Sequence, residues 1–92
     1  MQTQVTFRHF KGHHPELHTT AVELAAGFAK YYDGIISANV EFINDNEKVV
    51  SFIVQVQGAI LSSTDSSDDF HKSLLSAADK MKSQIIKHKE KH

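Results

Sequence analysis

Hydrophobic residues repeat along this chain with two different periods, and the order of the periods restricts the fold. Alternation every second residue is typical of a β-strand, and repetition every three or four residues is typical of an amphipathic helix. The segments follow in the order β-α-β-β-β-α. Ninety-two residues are enough for one hydrophobic core. We therefore predict a single domain over residues 1–92, with residues 88–92 as a frayed tail.

Four segments have the pattern of a strand. We predict strands at 2–10, 37–43, 48–57 and 59–64, separated at their ends by Lys11-Gly12, by the turn at 44–47 and by Gln57-Gly58. In the last strand, Ile60, Ser62 and Thr64 are predicted to share one side. The small residues on that side would let a helix approach the sheet closely.

Two segments have the pattern of a helix. The first is predicted from Pro15 to about Tyr32, with Asp33-Gly34 as the stop and Gly34 in a left-handed conformation. Its N-cap, His14, is a poor one. The second is capped by Ser66, Ser67 or Asp68. The apolar stripe of the first helix contains Leu17, Ala21, Leu24, Phe28, Tyr31 and Ile35, and that of the second contains Phe70, Leu74, Met81 and Ile85.

This order of elements predicts an α+β fold. The first two strands should be parallel, because a helix connects them, and the last three should form an antiparallel meander. Both helices would then cover one face of a four-stranded mixed sheet, giving a two-layer sandwich. Val49, Ile53 and Leu61 are predicted on the other face, where they form either a protein contact or scattered surface residues.

Charge is distributed unevenly along the chain, although the net charge is only −1. Residues 80–92 contain five lysines and one acidic residue, whereas residues 1–79 contain five basic and ten acidic residues. A local cluster of positive charge attracts the phosphates of nucleic acid, so these lysines predict a nucleic-acid contact. The alternative is that they only keep a terminal helix solvated. The residues at helical spacing that we call the lysine stripe are Lys80, Gln84, Lys87 and Lys91.

Four parts of the chain carry a resemblance to a known family. They are the opening MQ with its alternating strand, FAKYYDGI at 28–35, Asp69-Phe70 followed by Leu74, Met81 and Ile85, and QIIKHKEK at 84–91. In this order and spacing they resemble the ribosome hibernation-promoting factors, also called ribosome-associated inhibitors or sigma-54 modulation proteins. The resemblance covers almost the whole chain. It implies the short form, with a fold similar to double-stranded-RNA-binding domains.

The chain contains no cysteine, no signal-peptide pattern and no apolar run long enough to span a membrane, so we expect a cytoplasmic protein that does not bind membranes. We also expect no cofactor, no metal and no small-molecule substrate. The resemblance implies binding to the small ribosomal subunit and its rRNA in the mRNA and tRNA channel, which keeps idle ribosomes inactive. This chain departs from the family at 18–27, which has no permanently charged basic residue and contains Glu23. The RNA contact therefore depends on the second helix. The predicted RNA-binding residues are Lys30, Lys80, Lys82, Lys87, Lys89 and Lys91.

Neither histidines nor serines predict catalysis or metal binding. His14 and His18 have a helical metal-pair spacing, but two imidazoles are too few for a closed zinc site. Serine and aspartate residues before a helix are usually caps, and the chain has no cysteine. We therefore predict that the protein is not an enzyme. We expect five histidines instead to become positively charged below about pH 6.5 and to strengthen RNA binding there. They are His9, His13, His14, His18 and His88.

Two functions remain open on the sequence alone. The first is a ribosome-silencing factor that binds rRNA. The second is a diverged protein-interaction module of the same fold with weak or no RNA binding, which would be consistent with a weak homodimer. Salt sensitivity separates the two, because phosphate contacts weaken as salt rises.

Overall fold

The computed structural model describes residues 2–12 and 14–91, which form four strands and two helices. The elements are β1 (Gln2–Arg8), α1 (Pro15–Phe28), β2 (Ile35–Asn44), β3 (Lys48–Val56), β4 (Ala59–Ser67) and α2 (Phe70–Glu90). The strands lie in the order β1-β2-β3-β4. β1 is parallel to β2, and the other two pairs are antiparallel. The predicted order and strand directions are confirmed.

The core lies between one face of the sheet and both helices. Alternate residues of β2 and β3 are buried against apolar residues of α1 and α2, which confirms the predicted two-layer sandwich. Removing this apolar surface from water supplies most of the stabilisation. The buried residues include Val40, Phe42, Val50, Phe52 and Val54 of the sheet and Ala21, Ala25, Leu74, Met81 and Ile85 of the helices.

The two helices run side by side in the same direction. Near their N-termini, the Phe10 ring packs 4.8 Å from His14 and 4.9 Å from Phe70, measured between ring centroids. Just beyond the end of α1, Tyr32 packs against His88 of α2 at 5.5 Å. Both helix C-termini therefore lie at one end of the domain, which we call the C-terminal end. There the negative ends of both helix dipoles favour cations.

The strands differ from their predicted bounds at several ends. β1 ends at Arg8 instead of residue 10, because His9 adopts a left-handed conformation with φ of 61°. β4 continues to Ser67 instead of residue 64, because Asp65 and Ser67 still pair with Val50 and Lys48 of β3. The predicted turn at Gln57-Gly58 is confirmed, and Gly58 has φ of 85°.

α1 ends four residues before its predicted end. The N–H groups of Ala29, Lys30 and Tyr31 donate to carbonyls three residues back, so a tighter turn replaces the α-helix after Phe28. The prediction of a left-handed Gly34 is also wrong, because its φ lies outside that region. A Cβ at this position would lie 2.5 Å from the Tyr32 ring, so any larger residue would require that ring to move.

α2 is capped by Asp69, whose carboxylate accepts a hydrogen bond from the Lys72 N–H at 3.2 Å. The predicted caps at Ser66, Ser67 and Asp68 are wrong, because β4 extends through the first two of these positions. In α1, the weak cap predicted at His14 is confirmed, since its side chain makes no capping hydrogen bond. None of the helices in the described ranges is long and apolar enough to cross a membrane.

The sheet face away from the helices, which we call the open face, carries exposed isoleucines. Ile53 lies there as predicted and is 45% exposed. Leu61 was predicted there too, but it packs against the core, because the residues of β4 on the helix side are Leu61 and Ser63. Ile60 lies on the open face instead and is 70% exposed.

Candidate nucleic-acid interface

The lysines of α2 lie on two different flanks of the helix. α2 buries Leu74, Met81 and Ile85 against the sheet, so residues beside this stripe face either β4 or α1. Helical spacing places the lysine stripe on the β4 flank. It places Lys82 and Lys89, seven residues apart, on the α1 flank. The sequence predicted the lysine stripe, and the fold shows that Lys82 and Lys89 lie on the opposite flank, beside α1.

On the β4 flank, the lysine stripe is partly held by the protein itself. The Lys80 ammonium lies 3.4 Å from an Asp65 carboxylate oxygen and 3.5 Å from the Thr64 carbonyl oxygen. The Gln84 amide donates to the Ser62 carbonyl. Lys87 and Lys91, further along the helix, are exposed. Lys87 and Lys91 are therefore more available for phosphate contact than Lys80.

Asp65 is the acidic residue that sets the charge around Lys80. A hydrogen bond from the Ser76 hydroxyl lowers the pKa of Asp65, and the Ser66 backbone N–H and the Lys80 ammonium lower this pKa further. The carboxylate is consequently charged throughout the neutral range. A phosphate that binds Lys80 must compete with it.

On the α1 flank, Lys82 lies over an aromatic ring. Its ammonium is 5.0 Å from the centroid of the Tyr31 ring, which is within the range of a cation–π contact. Both residues border an apolar depression of about 230 Å³ between the helices, which we call the helix groove. Its other lining residues include Glu23, Gly27, Leu75 and Asp79.

Lys30 is brought next to Lys89 at the C-terminal end of the domain. The two lysines border a second, more polar depression of about 540 Å³, which we call the terminal depression. Tyr31, Tyr32, Asp33 and Gln57 complete its lining. Lys30, which is distant from the other predicted residues in sequence, thus joins the α1-flank lysines in space.

The histidines are divided between the two ends of the domain. His14 packs against Phe7 and Phe10 near the start of α2, and His9 and His18 lie in the same part of the chain. α2 has 21 residues, about 30 Å of helix, so this end is far from Lys87 and Lys91. His88 lies within the lysine-bearing turns. His13 lies outside the described residues, and the effect of histidine charge on RNA affinity stays a prediction.

The exposed surface of α1 carries acidic residues, and residues 18–27 contain no lysine or arginine. Glu16 and Glu23 are exposed on it, and Asp79 of α2 borders the helix groove beside Glu23. These carboxylates repel phosphate along the middle of the helix pair. The C-terminal end, where lysines exceed acids, is therefore the part of the helix pair that most favours an anion.

Two serine hydroxyls connect the sheet to α2, one at β4 and the other at β3. The Ser63 hydroxyl donates to the Ala77 carbonyl at 2.8 Å, and the Ser73 hydroxyl donates to the Lys48 carbonyl at 2.6 Å. Small side chains thus let the helix approach the sheet, although the residue involved is Ser63 rather than Ser62. Within residues 2–12 and 14–91, no three histidine, cysteine or acidic side chains form a metal-binding group.

Two residues of this interface were not identified from the sequence. Tyr31 was assigned to the apolar stripe of the first helix, but it lies beyond the helix end and is 36% exposed. Asp65 was left outside the predicted strand 59–64, but it lies in β4 and contacts Lys80. In the sequence, the signal that could have pointed to Tyr31 was its neighbour Lys30, which was predicted to bind RNA. Asp65 was missed because β4 is longer than predicted and contains it.

The fold and the basic helix together define a class of small α+β proteins with a charged end suited to phosphate. Comparison with protein families matches residues 3–92 to the family described as sigma 54 modulation protein / S30EA ribosomal protein, and the chain belongs to this family. The resemblance stated from the sequence is confirmed.

Solved structures show the same fold. A ribosomal subunit interface protein from Coxiella burnetii is similar with a TM-score of 0.84 and 21% identity, over 98% of this chain and 99% of that chain. The N-terminal domain of Protein Y from Thermus thermophilus is similar with a TM-score of 0.85 and 16% identity, over 96% of this chain and 99% of that chain. A search of the curated proteins found no significant match.

Proposed function

We propose that this protein is a hibernation factor that binds the small ribosomal subunit in the mRNA and tRNA channel and keeps idle ribosomes inactive. The observation that carries this proposal is membership, over residues 3–92, of a family whose description includes a ribosomal protein. The concentration of lysines at one end of an otherwise acidic domain supports an rRNA contact.

The mechanism requires binding and no chemical step. Lysine ammonium groups contact phosphate oxygens of rRNA, which orients the domain without reading a base sequence. A domain of this size in the channel then excludes mRNA and the A- and P-site tRNAs. The residues proposed to contact rRNA are Lys30, Lys80, Lys82, Lys87, Lys89 and Lys91.

The first test is sedimentation of the purified protein with small ribosomal subunits through a sucrose gradient. The wild-type protein is expected to move with the subunits at low salt, and the double variant Lys87→Glu, Lys91→Glu is expected to stay at the top. Lys11→Glu, Lys72→Glu is the matched control, because both lysines are exposed and lie outside the proposed contact set. Equal sedimentation of the two double variants would contradict the proposed interface.

The second test asks whether the protein occupies the channel. Excess mRNA with tRNA is expected to displace the bound protein, and the protein is expected to inhibit translation of a reporter mRNA in a purified system. Binding that mRNA and tRNA leave unchanged would place the protein elsewhere on the subunit and reject the channel mechanism.

A weak homodimer through the open face is the second candidate. Ile36, Ile53 and Ile60 are 49%, 45% and 70% exposed, and Ile60 pairs with Gln55, two residues from Ile53 on the same side of β3. This function predicts concentration-dependent association in analytical ultracentrifugation that Ile60→Lys abolishes and high salt does not weaken. A monomer at all concentrations would exclude it.

A further inference from the structure

We propose that Tyr31 is a stacking platform for one unpaired base of rRNA, with Lys30 and Lys89 beside it to hold the adjacent phosphates. This inference rests on the proposed ribosome binding and specifies the kind of nucleotide that the C-terminal end recognises. It adds an aromatic contact to an interface that would otherwise consist of charges.

The Tyr31 ring is accessible because it forms a wall between two depressions. One side borders the helix groove, and the ring also borders the terminal depression. The residue lies in the tight turn after α1, where its N–H donates to the Phe28 carbonyl at 3.0 Å. The backbone is thus held, and the residue as a whole is 36% exposed. A tyrosine has only two rotatable side-chain bonds, so its ring can stack with a small loss of conformational entropy.

Cations surround the ring from two elements of the fold. Lys82 of α2 lies 5.0 Å from the ring centroid, and Lys30 directly precedes Tyr31 in the chain. Lys89 borders the terminal depression together with Tyr31. Aromatic rings among basic side chains are the usual means of binding single-stranded RNA, because every base offers a π-face and every linkage offers a phosphate.

The acidic residues indicate on which side the base lies. Glu23 and Asp79 border the helix groove, whereas Asp33 is the acidic residue in the lining of the terminal depression. Phosphates are repelled from the groove and attracted by Lys30 and Lys89. The base is therefore expected to stack on the side of Tyr31 that faces the terminal depression.

The helix groove itself suits a different occupant. Its apolar floor and its two carboxylates would fit an apolar anchor from a cationic segment of a ribosomal protein. Leu75 separates the two cases, because it lines the groove, is 45% exposed and does not line the terminal depression. Truncation of Leu75 should matter for a protein anchor and not for a base stacked on the other side of Tyr31.

The experiment measures binding of small ribosomal subunits by wild type, Tyr31→Phe, Tyr31→Leu and Leu75→Ala. Loss of base stacking by the leucine variant is expected to weaken binding about 5- to 150-fold, while the phenylalanine variant stays close to wild type. The salt dependence of the leucine variant should equal that of wild type, because no charge is removed. Leu75→Ala should bind within about twofold of wild type, since single surface truncations outside a contact have small effects.

A direct signal comes from Tyr31→Trp, since the chain itself contains no tryptophan. Stacking of a base on the introduced indole is expected to quench its fluorescence when subunits are added, and this variant keeps a stacking ring even if Tyr31→Leu is unstable. Unquenched indole fluorescence in the bound variant would overturn the inference. So would equal losses in Tyr31→Leu and Leu75→Ala, which would indicate a protein anchor. If the wild-type protein does not bind subunits, the proposed function is wrong. If wild type binds and Tyr31→Leu binds equally well, the proposed function stands and only the stacking role of Tyr31 is wrong.

Discussion

Lys80 differs from the other lysines of its stripe because the protein already supplies it with a partner. Its ammonium lies 3.4 Å from Asp65, and both side chains are partly exposed, at 56% and 26%. An exposed pair of this kind contributes little to stability. Its larger consequence is for binding, because the carboxylate offsets the charge that Lys80 could offer to phosphate.

The first prediction is that Asp65→Asn strengthens ribosome binding. Removal of the carboxylate leaves the Lys80 charge unopposed, so affinity should rise by a few-fold at low salt, in line with roughly one additional phosphate contact. Titration of labelled protein with small subunits measures the change. Asp68→Asn, which removes an exposed carboxylate nearby, is the control and should change affinity less.

The second prediction concerns the same residue and acid stability. In the folded protein, the hydrogen bond from Ser76, the Ser66 N–H and the Lys80 ammonium hold the pKa of Asp65 below its ordinary value of 3.8. A lowered folded-state pKa stabilises the protein above the unfolded-state value, and this contribution disappears as pH falls through the lowered pKa. Urea unfolding should therefore show wild type more stable than Asp65→Asn at about pH 7, with the difference shrinking below about pH 4. A difference that is constant with pH would contradict the assignment.

At the scale of single elements, the sequence predicted the interiors of helices and strands better than their ends. The alternation of Val50, Phe52 and Val54 identifies a buried strand face, because its period depends only on local geometry. The end of β4 depends instead on pairing with β3, whose residues Lys48 and Val49 extend the strand to Ser67. Pairing between distant residues is not encoded in local composition, so the strand was predicted to end at residue 64 and Ser66 and Ser67 were interpreted as helix caps.

The same reason accounts for what the sequence missed in the candidate interface. Helical spacing correctly placed Lys80 and Gln84 on one flank of α2, where both contact β4. It did not show that Lys30 and Lys89 share a depression, because this depends on the parallel packing of the two helices. Tyr31 was misassigned because a three-residue turn replaces the α-helix just before it.

The third prediction tests the cap of α2. The Asp69 carboxylate accepts from the Lys72 N–H at 3.2 Å, so Asp69→Ala should lower the free energy of unfolding by about 1 kcal/mol. Asp69→Ser keeps a capping oxygen and serves as the matched control. Urea denaturation of both variants checks the expectation. Equal losses in the two would show that the hydrogen bond to Lys72 does not stabilise the helix.

At the scale of the whole molecule, opposite charges lie on different parts of the surface. Lys30, Lys87, Lys89 and Lys91 lie toward the C-terminal end, while Glu16, Glu23 and Asp79 lie along the helix pair. Repulsion from these acids opposes any docking in which α1 faces phosphate. A net charge of −1 is therefore compatible with rRNA binding in one orientation, with the C-terminal end toward the RNA.

The last prediction follows from this polarity and separates the two functions that the sequence left open. If the C-terminal end neutralises three to five phosphates, the logarithm of the ribosome-binding constant should fall with the logarithm of salt concentration with a slope of roughly −2 to −4.5. Lys87→Gln with Lys91→Gln should reduce the magnitude of that slope by about 1.4 to 1.8, whereas Lys11→Gln with Lys72→Gln should leave it unchanged. Titrations at four or more salt concentrations measure the slopes. A slope near zero would instead favour a protein contact through the open face, because burial of isoleucine is not weakened by salt.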